Sequence, residues 1–353
     1  MGIIYFVLVL SAIIVIHEIG HLVAAKLFHV YCYEFSLGMG PKLFAYQGKE
    51  TKYTLRLIPI GGYVAMAGEQ EDDMELYPSI EVPAGRSIKS IARWKRIIVM
   101  LAGVFMNFLM AWIIISGILM YSGGYVKDAP PVVASVVEQG PADVAGLQAG
   151  DVIKKVVFED GTVIKPQSFT DISLFTQMYD GKITYTVSRN GEMLDFVVQG
   201  QPNENGLYLV GIGSPTPEIV KITPFNAGIY SFDYMVDMTR NIFKSLTRLV
   251  QGNGLDQLSG PVGIYEVTSQ QASKGLPDLL ILVAMLSLNV GIFNLLPLPV
   301  LDGGRVILIL VEMVIRKPLN KKFEVGIMTA SMVLLLALMV FATWQDITRI
   351  FIK

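Results

Sequence analysis

Cysteine, histidine and charge are all scarce in this 353-residue sequence, which has one cysteine, three histidines and 16% charged residues. The single cysteine, Cys32, excludes an intrachain disulfide. The formal net charge is -2, so the composition gives no indication of a basic surface for nucleic acid. We therefore expect neither a disulfide scaffold nor a nucleic-acid partner.

Apolar residues are abundant instead, at 52% of the chain, with a mean hydropathy of +0.52. This composition is typical of an integral membrane protein with a modest soluble part. Long apolar segments predict membrane-spanning helices at residues 3–28, 97–121, 279–314 and 325–344. The third segment is too long for a simple span and contains Pro297 and Pro299, which predict a broken helix that lines a cavity. We expect a polytopic α-helical membrane protein with about four transmembrane helices.

Two of the three histidines lie in His17-Glu18-Ile19-Gly20-His21, inside the first apolar segment. Residues four apart share one face of a helix, so His17 and His21 can bind one Zn²⁺ while Glu18 activates a water molecule. At about 1.5 Å per residue, His17 lies roughly 20 Å into the span, where ionisable residues are costly and usually functional. The motif predicts a zinc site within the membrane.

A catalytic zinc site requires a third protein ligand and leaves the fourth position open. Asp302 follows the proline-broken stretch at a depth that matches His17, although this carboxylate could instead cap the following helix. His29, close to the membrane boundary, and Glu312, further along the third segment, are the alternatives. The depth of Asp302 favours it as the ligand.

Lys and Arg are concentrated in two connections, residues 26–96 and 316–322. The positive-inside rule predicts that both are cytoplasmic, which places both termini and the long external segment outside, and the zinc site nearer the cytoplasmic face. The first apolar segment lacks the features of a cleaved signal peptide and is expected to be retained. The expected parts of the chain are residues 1–125, 126–215, 216–277 and 278–353.

Residues 53–57 alternate in polarity, reach Gly61-Gly62 and continue as a second β-type run at 63–68. This order predicts a β-hairpin. The segment is unusually apolar for a water-exposed loop, so we expect it to associate with the membrane and lean into the active-site cavity. There its edge, including Gly61 and Gly62, can bind an extended peptide. A small cytosolic sheet is the alternative.

The external segment alternates short β-type runs with turns, the runs being 132–137, 152–157, 183–189, 194–198 and 207–212. It also contains a GLxxGD pattern at 146–151 and a helical pattern at 171–179. This order resembles an α+β PDZ domain over residues 126–215. Beyond it, apolar residues at helical spacing in 226–250 predict an amphipathic helix that packs on the membrane or on this domain.

Three motifs together resemble those of the site-2 protease family of intramembrane zinc metalloproteases, in the bacterial branch of the regulator-of-sigma proteases. They are HExxH at 17–21, a GxxxN element at 103–107 and NxxPxPxxDG at 294–303. The resemblance covers essentially the whole chain. The chain departs from the family pattern in having room for one PDZ domain where better-known members have two, and in carrying Arg305 and Ala65 where His and a basic residue are frequent.

The resemblance implies roles for the motif residues: His17, His21 and Asp302 as ligands of a Zn²⁺ cofactor, and Glu18 as the catalytic base. It also implies that Asn294, and Asn289 one and a half turns earlier, hydrogen-bond the substrate. Asn supplies a donor and an acceptor without adding charge, which suits the freed backbone of an unwound substrate helix. A contact between helices is the alternative role for these asparagines.

We therefore expect a zinc endopeptidase of the bacterial plasma membrane that cleaves single-pass transmembrane proteins within or near the bilayer. By resemblance, its substrates are anti-sigma factors already shortened by an upstream site-1 protease, and remnant signal peptides. The rival is a non-catalytic PDZ-containing scaffold or chaperone with a structural zinc, and Glu18, which is costly and is not a ligand, argues against it. A zinc transporter is disfavoured because it requires more acidic or histidine positions along its path.

Overall fold

The computed structural model describes residues 2–69, 76–77, 80–203, 206–250 and 259–351. The chain forms two compact units. The first contains the residues up to Tyr121 together with those from Pro224 onward, and the second is Ser122–Thr223. The first unit carries the predicted membrane segments, and the second contains the predicted PDZ segment.

Helices dominate the first unit and strands the second. In chain order the helices are α1 (Gly2–Leu27), α2 (Arg93–Ser122), α3 (Pro141–Ala145), α4 (Phe169–Thr176), α5 (Ala227–Val250), α6 (Pro261–Lys274), α7 (Leu276–Asn294), α8 (Asp302–Ile315) and α9 (Lys321–Phe351). The strands are β1 (Cys32–Gln47), β2 (Lys52–Met66), β3 (Gly124–Lys127), β4 (Ser135–Val136), β5 (Val152–Phe158), β6 (Val163–Ile164), β7 (Lys182–Arg189), β8 (Glu192–Gln199), β9 (Gln201–Pro202), β10 (Tyr208–Leu209), β11 (Ile212–Gly213) and β12 (Glu218–Lys221).

Four of these helices, α1, α2, α7 and α9, are long and apolar enough to cross a membrane, which confirms the predicted number of spans. The third predicted segment is divided, because α7 ends at Asn294 and α8 begins at Asp302. The intervening prolines have no N–H group with which to continue a helix. The chain turns instead, with the Leu301 N–H donating to the Leu298 carbonyl at 2.8 Å. This turn places Asp302 in the first turn of α8.

The predicted hairpin is wrong. β1 and β2 each double back, so that four segments lie side by side in the order 62–66, 32–37, 52–56 and 42–47. Leu37, for example, is paired with both Gly62 and Leu55. The two predicted arms are therefore separated by segment 32–37. Gly61 and Gly62 lie within β2, where the chain bends with a φ of 92° at Gly61, and not in a hairpin turn.

Segment 32–37 was not predicted because two polar residues in it are buried. Glu34 is 2% exposed, and its carboxylate accepts hydrogen bonds from Thr54 Oγ1 at 2.6 Å, Arg56 Nη2 at 2.7 Å and the Tyr63 hydroxyl at 3.0 Å. Burial acts to raise the pKa of Glu34, but these donors outweigh burial and hold the pKa below its ordinary value. The carboxylate thus joins the segments on both sides of it, a pairing that hydrophobic periodicity does not reveal.

The second unit is built on an antiparallel sheet in the order β6-β5-β7-β8. Its core contains side chains that are at most 1% exposed, among them Val133, Leu147, Ile153, Ile183 and Tyr185. The predicted runs at 152–157, 183–189 and 194–198 correspond to β5, β7 and β8. The other two predicted runs form only short strands. The unit is wider than the predicted 126–215 because β3 pairs with β12, with Lys127 opposite Glu218.

An ion pair fixes the turn at the end of the GLxxGD pattern. The Asp151 side chain is 1% exposed, and its oxygens accept hydrogen bonds from Arg189 Nε and Nη2, both at 2.7 Å, and from the Gln148 N–H at 2.9 Å. Burial acts to raise the pKa of Asp151, but Arg189 and the Gln148 N–H outweigh burial and leave the pKa below its ordinary value. The carboxylate therefore stays charged in the folded unit.

The predicted connector at 216–277 contains β12, α5 and α6, while its residues 251–258 lie outside the described residues. The first turns of α5 pack on α2. Trp112 Nε1 donates to the Gly228 carbonyl at 2.9 Å, and the Ser116 hydroxyl donates to the Ser231 hydroxyl at 3.0 Å. The amphipathic helix therefore begins against a membrane helix.

Candidate metal centre and active site

α1 and α2 meet at the HExxH motif because both helices carry small residues there. A Cβ on Gly20 would overlap the carbonyl oxygen of Ala102. A Cβ on Gly103 would lie 2.5 Å from His21 Nε2 and 2.8 Å from His17 Nε2. Glycine at these positions allows the helices to approach closely. The GxxxN element on α2 thus forms the wall next to the two histidines.

Three potential metal-ligating atoms converge at this helix crossing. Nε2 of His17 lies 3.2 Å from Nε2 of His21, and Oδ2 of Asp302 lies 3.1 Å from the first and 3.4 Å from the second. The histidines are 8% and 6% exposed. Within the described residues, these three form the cluster of His, Cys, Asp or Glu side chains that could hold a metal ion.

The arrangement fits a zinc ion. Ligand atoms about 2.0–2.1 Å from a tetrahedral centre are separated by roughly 3.3 Å, and the observed separations are 3.1, 3.2 and 3.4 Å. Oδ2 of Asp302 is buried and lies against the Nε2 atoms of both histidines. Gly103 keeps open a position close to both Nε2 atoms, which any side chain there would fill. Two imidazoles and one carboxylate are a set of ligands known from catalytic zinc sites.

Asp302 reaches the histidines because glycines follow it. A Cβ on Gly303 would overlap the backbone of Leu295, and one on Gly304 would overlap that of Leu298, so the first turn of α8 packs directly on the proline-containing connection. The alternative role of Asp302 as a helix cap is not observed, because the N-cap of α8 is Leu301 and no side-chain cap hydrogen bond forms.

Glu18 borders a cavity of about 270 Å³. The cavity is also lined by both histidines, Asp302 and Asn294 and, from β2, by Tyr63, Val64 and Met66. A Cβ on Gly62 would lie 3.5 Å from Glu18 Cγ, so the backbone of β2 passes next to the carboxylate. Gly61 instead lies against Met39, where a Cβ would be 2.8 Å from the Met39 Cε.

The remaining predicted residues lie further from the centre. Asn289 is half-buried on α7 and does not line this cavity. The alternative third ligands are also elsewhere, since His29 is exposed beyond the end of α1 and Glu312 pairs with Arg96 at 3.1 Å. The structure therefore brings Asp302, and neither alternative, to His17 and His21.

An ion pair that was not predicted borders the same cavity. Arg305, one turn after Asp302 on α8, pairs with Glu69, which follows β2. Both residues also line a second cavity of about 90 Å³, so the pair lies where the two cavities meet. The sequence shows Arg305 only as a departure from a family pattern, and its partner is 236 residues away.

Comparison with known proteins identifies one family. The model of peptidase family M50 matches residues 5–338. A protein of Clostridium perfringens, provisionally named a zinc metalloprotease, is 37% identical over 350 residues, which cover 98% of each chain. The regulator of sigma-W protease RasP of Bacillus subtilis is 30% identical over 426 aligned positions, and the zinc metalloprotease RasP of Bacillus licheniformis is 31% identical over 425, each covering 99% of both chains.

The matched residues include all three sequence motifs. The family and the names of the relatives confirm the predicted enzyme class and the predicted Zn²⁺ cofactor. They do not favour the rival of a non-catalytic scaffold. The chain belongs to peptidase family M50 and is a zinc metalloprotease of the site-2 protease type.

Proposed function

We propose that this metalloprotease cleaves transmembrane segments within the membrane, with His17, His21 and Asp302 holding Zn²⁺ and Glu18 as general base. The observation that carries the proposal is the convergence of three ligand atoms, at most 3.4 Å apart, in a cavity that Glu18 borders. These atoms come from α1 and α8, and α1 is one of the helices able to cross a membrane. This combination supports peptide-bond hydrolysis at membrane depth.

The chemistry divides between the metal and Glu18. When bound, Zn²⁺ supplies Lewis acidity, which acidifies water and polarises the scissile carbonyl. Glu18 accepts a proton from the attacking water at a carboxylate oxygen and delivers it to the leaving amide nitrogen. The hydroxyl of the water ends on the carbonyl carbon as the C–N bond breaks, so one water is consumed for each cleavage.

We propose that the substrate binds as an extended strand along residues 62–66. Among the described strands this segment pairs on one side, with 32–37, and its residues Tyr63, Val64 and Met66 line the cavity that Glu18 borders. A transmembrane helix must unwind to be cut, and its freed backbone groups then need hydrogen-bond partners. A strand edge supplies such partners. Gly61 and Gly62 are proposed to take part in this binding through their backbone, which at Gly62 passes next to Glu18.

Asn294 is proposed to bind the substrate through its carboxamide, because it lines the cavity together with Glu18. Asn289 is proposed to contact the portion of the substrate that extends beyond the cavity. The outer segment 42–47 is proposed to lie in the membrane, because it exposes Leu43, Phe44 and Tyr46 by 61–64%.

We propose that the chain lies in the bacterial plasma membrane with the connections at 26–96 and 316–322 in the cytoplasm, and both termini and the second unit outside.

The second unit is proposed to be a PDZ domain that excludes substrates with bulky external portions. The four predicted domains, 1–125, 126–215, 216–277 and 278–353, are part of this proposal, with the limits of the first three moved so that the second is Ser122–Thr223. The Bacillus subtilis relative is named for regulation of sigma-W, and by that relation we propose anti-sigma factors trimmed by a site-1 protease, and remnant signal peptides, as substrates.

The proposed active site is tested with purified protein and a single-pass reporter substrate, whose products are located by mass spectrometry. Wild type is expected to cut inside the transmembrane segment. Glu18→Gln should keep zinc, because Glu18 is not a ligand, yet lose cleavage. His17→Ala should lose both zinc and cleavage. Cleavage by Glu18→Gln within about tenfold of wild type, a barrier change under about 1.4 kcal/mol, would contradict the role of Glu18.

The proposed orientation is tested by cysteine labelling. Native Cys32 is unsuitable because it is fully buried, and burial raises its pKa to about 11. In a Cys32→Ala background, cysteine is introduced at two exposed positions, Ser90→Cys in the connection 26–96 and Thr162→Cys in the second unit, which are proposed to lie on opposite sides. A membrane-impermeant maleimide added to intact cells should label Thr162→Cys alone. Labelling of Ser90→Cys alone would invert the orientation.

A further inference from the structure

The two histidines are held from the side opposite their Nε2 atoms, and both by α2. Nδ1 of His21 lies 2.8 Å from the carbonyl oxygen of Val99. Because a carbonyl oxygen only accepts hydrogen bonds, neutral His21 carries its proton on Nδ1 and keeps the lone pair of Nε2 for a metal ion. The backbone of α2 thus fixes the tautomer of His21.

The partner of Nδ1 in His17 is a side chain rather than a backbone carbonyl. This Nδ1 lies 3.3 Å from Nδ2 of the carboxamide of Asn107, the last residue of the GxxxN element. Asn107 is fully buried, and its Oδ1 has no hydrogen-bond partner among the described residues. The acceptor and donor ends of a carboxamide exchange places by a half-turn of the terminal torsion. Either end of Asn107 can therefore face His17.

Only one of these two orientations is compatible with metal binding. If the NH₂ group donated to Nδ1, the proton of neutral His17 would lie on Nε2, the atom that faces His21 and Asp302. If Oδ1 accepts from the Nδ1–H, Nε2 keeps its lone pair. Metal-binding histidines almost always donate their other N–H to an oxygen in this way. His17 would then have the same tautomer as His21, with its proton on Nδ1.

We propose that Asn107 is a positioning residue of the metal centre, whose Oδ1 accepts the Nδ1–H of His17 and holds this imidazole with Nε2 toward Zn²⁺. The inference rests on the proposed function, because it takes His17 as a ligand. One contact between α2 and α7 does not depend on this side chain. The Ser287 hydroxyl donates to the main-chain carbonyl of Asn107 at 2.9 Å, and any residue at position 107 keeps that carbonyl.

The test compares two substitutions in the full-length protein. Asn107→Leu removes the acceptor at similar volume, while Asn107→Asp keeps an acceptor oxygen and removes the amide donor. The readouts are zinc affinity, measured by competition with a chelator, and the visible absorption spectrum of the Co²⁺-loaded protein. We expect zinc binding to weaken by about 10- to 100-fold in Asn107→Leu and by less than about threefold in Asn107→Asp. Ser287→Ala is the matched control, with unchanged affinity.

Two results would overturn the inference: wild-type zinc affinity in Asn107→Leu, or an equal loss in Asn107→Asp, which would mean that the amide donor matters. If Asn107→Leu does not accumulate in the membrane, Asn107→Ala replaces it with the same expected loss. His17→Ala is measured in parallel. Zinc retained by His17→Ala would overturn the proposed ligand set itself. Zinc lost from His17→Ala but held at wild-type affinity by Asn107→Leu would overturn only the role of Asn107.

Discussion

Asp346, near the end of α9, accepts a hydrogen bond from the backbone N–H of Gly263 at 2.7 Å. Gly263 lies in the first turn of α6, whose N-cap, Gly260, has no side chain to cap the helix. A carboxylate from another helix therefore caps α6 and complements its dipole. α6 in turn packs on α1, the helix of the HExxH motif, where Tyr265 meets the ring of Phe6 edge-on. This contact joins the last span to the first.

We expect Asp346→Ala to lower the free energy of unfolding by about 1 kcal/mol, the usual cost of losing a helix cap. Asp346→Asn should cost less, because its side-chain oxygen still accepts the hydrogen bond. Thermal unfolding in detergent micelles measures the stability of both variants. Asp233→Ala, at an exposed position on α5, is the control. An Asp346→Ala protein as stable as the control would show that the cap contributes nothing.

Gly103→Ala is expected to lose most of its zinc, because the added methyl group would lie within 2.8 Å of both Nε2 atoms. The matched control is Gly117→Ala on the same helix, where an added Cβ has no atom within 4 Å. Metal analysis of the two purified variants makes the comparison. Full zinc occupancy in Gly103→Ala would mean that the metal does not lie next to α2.

The second unit should lose stability in acid through Asp151. Its folded pKa lies below the ordinary value, so the ion pair with Arg189 stabilises the unit fully above the unfolded pKa of about 3.9. That contribution is lost as the pH falls through the lowered folded pKa. Hydrogen exchange of β5, β7 and β8 in the full-length protein, corrected for intrinsic rates, should show this loss of stability between about pH 5 and pH 2. Asp151→Asn should flatten this dependence, and equal pH profiles would exclude Asp151 as its source.

The paired ends of the second unit allow a clean deletion. Lys127 and Glu218 face each other in the β3–β12 ladder, so residues 128–217 can be replaced by an Asn-Gly turn. Every proposed catalytic residue lies in the first unit. Cleavage of a trimmed substrate should therefore stay within about tenfold of wild type, near 1.4 kcal/mol, and an untrimmed substrate should become cleavable.

The deletion is tested by measuring cleavage of the trimmed and of the untrimmed substrate. A variant that inserts in the membrane and binds zinc, yet cleaves neither substrate, would place the second unit in the catalytic machinery. A variant that cleaves the trimmed substrate alone would retain the catalytic assignment and contradict the role of the unit as a size filter.

Some of the architecture could be read from the sequence because it depends on local patterns. Hydropathy gave the four long helices, and the prolines gave the interruption before Asp302. Segment 32–37 was missed because Glu34 and Ser36 are buried through hydrogen bonds to residues distant in sequence. Strand pairing is non-local, so a correct reading of 53–57 and 63–68 as strands still led to the wrong partners.

The sequence by itself determined that His17 and His21 share one helix face with Glu18 beside them, because a four-residue spacing fixes that geometry. Only the tertiary structure shows that Asp302, and not His29 or Glu312, lies next to the histidines, because the atoms nearest the histidines depend on how α8 packs on α1 and α2. It also places Gly103 and Asn107 next to the two histidines. Contacts of this kind are made across a helix crossing and leave no periodic trace in a sequence.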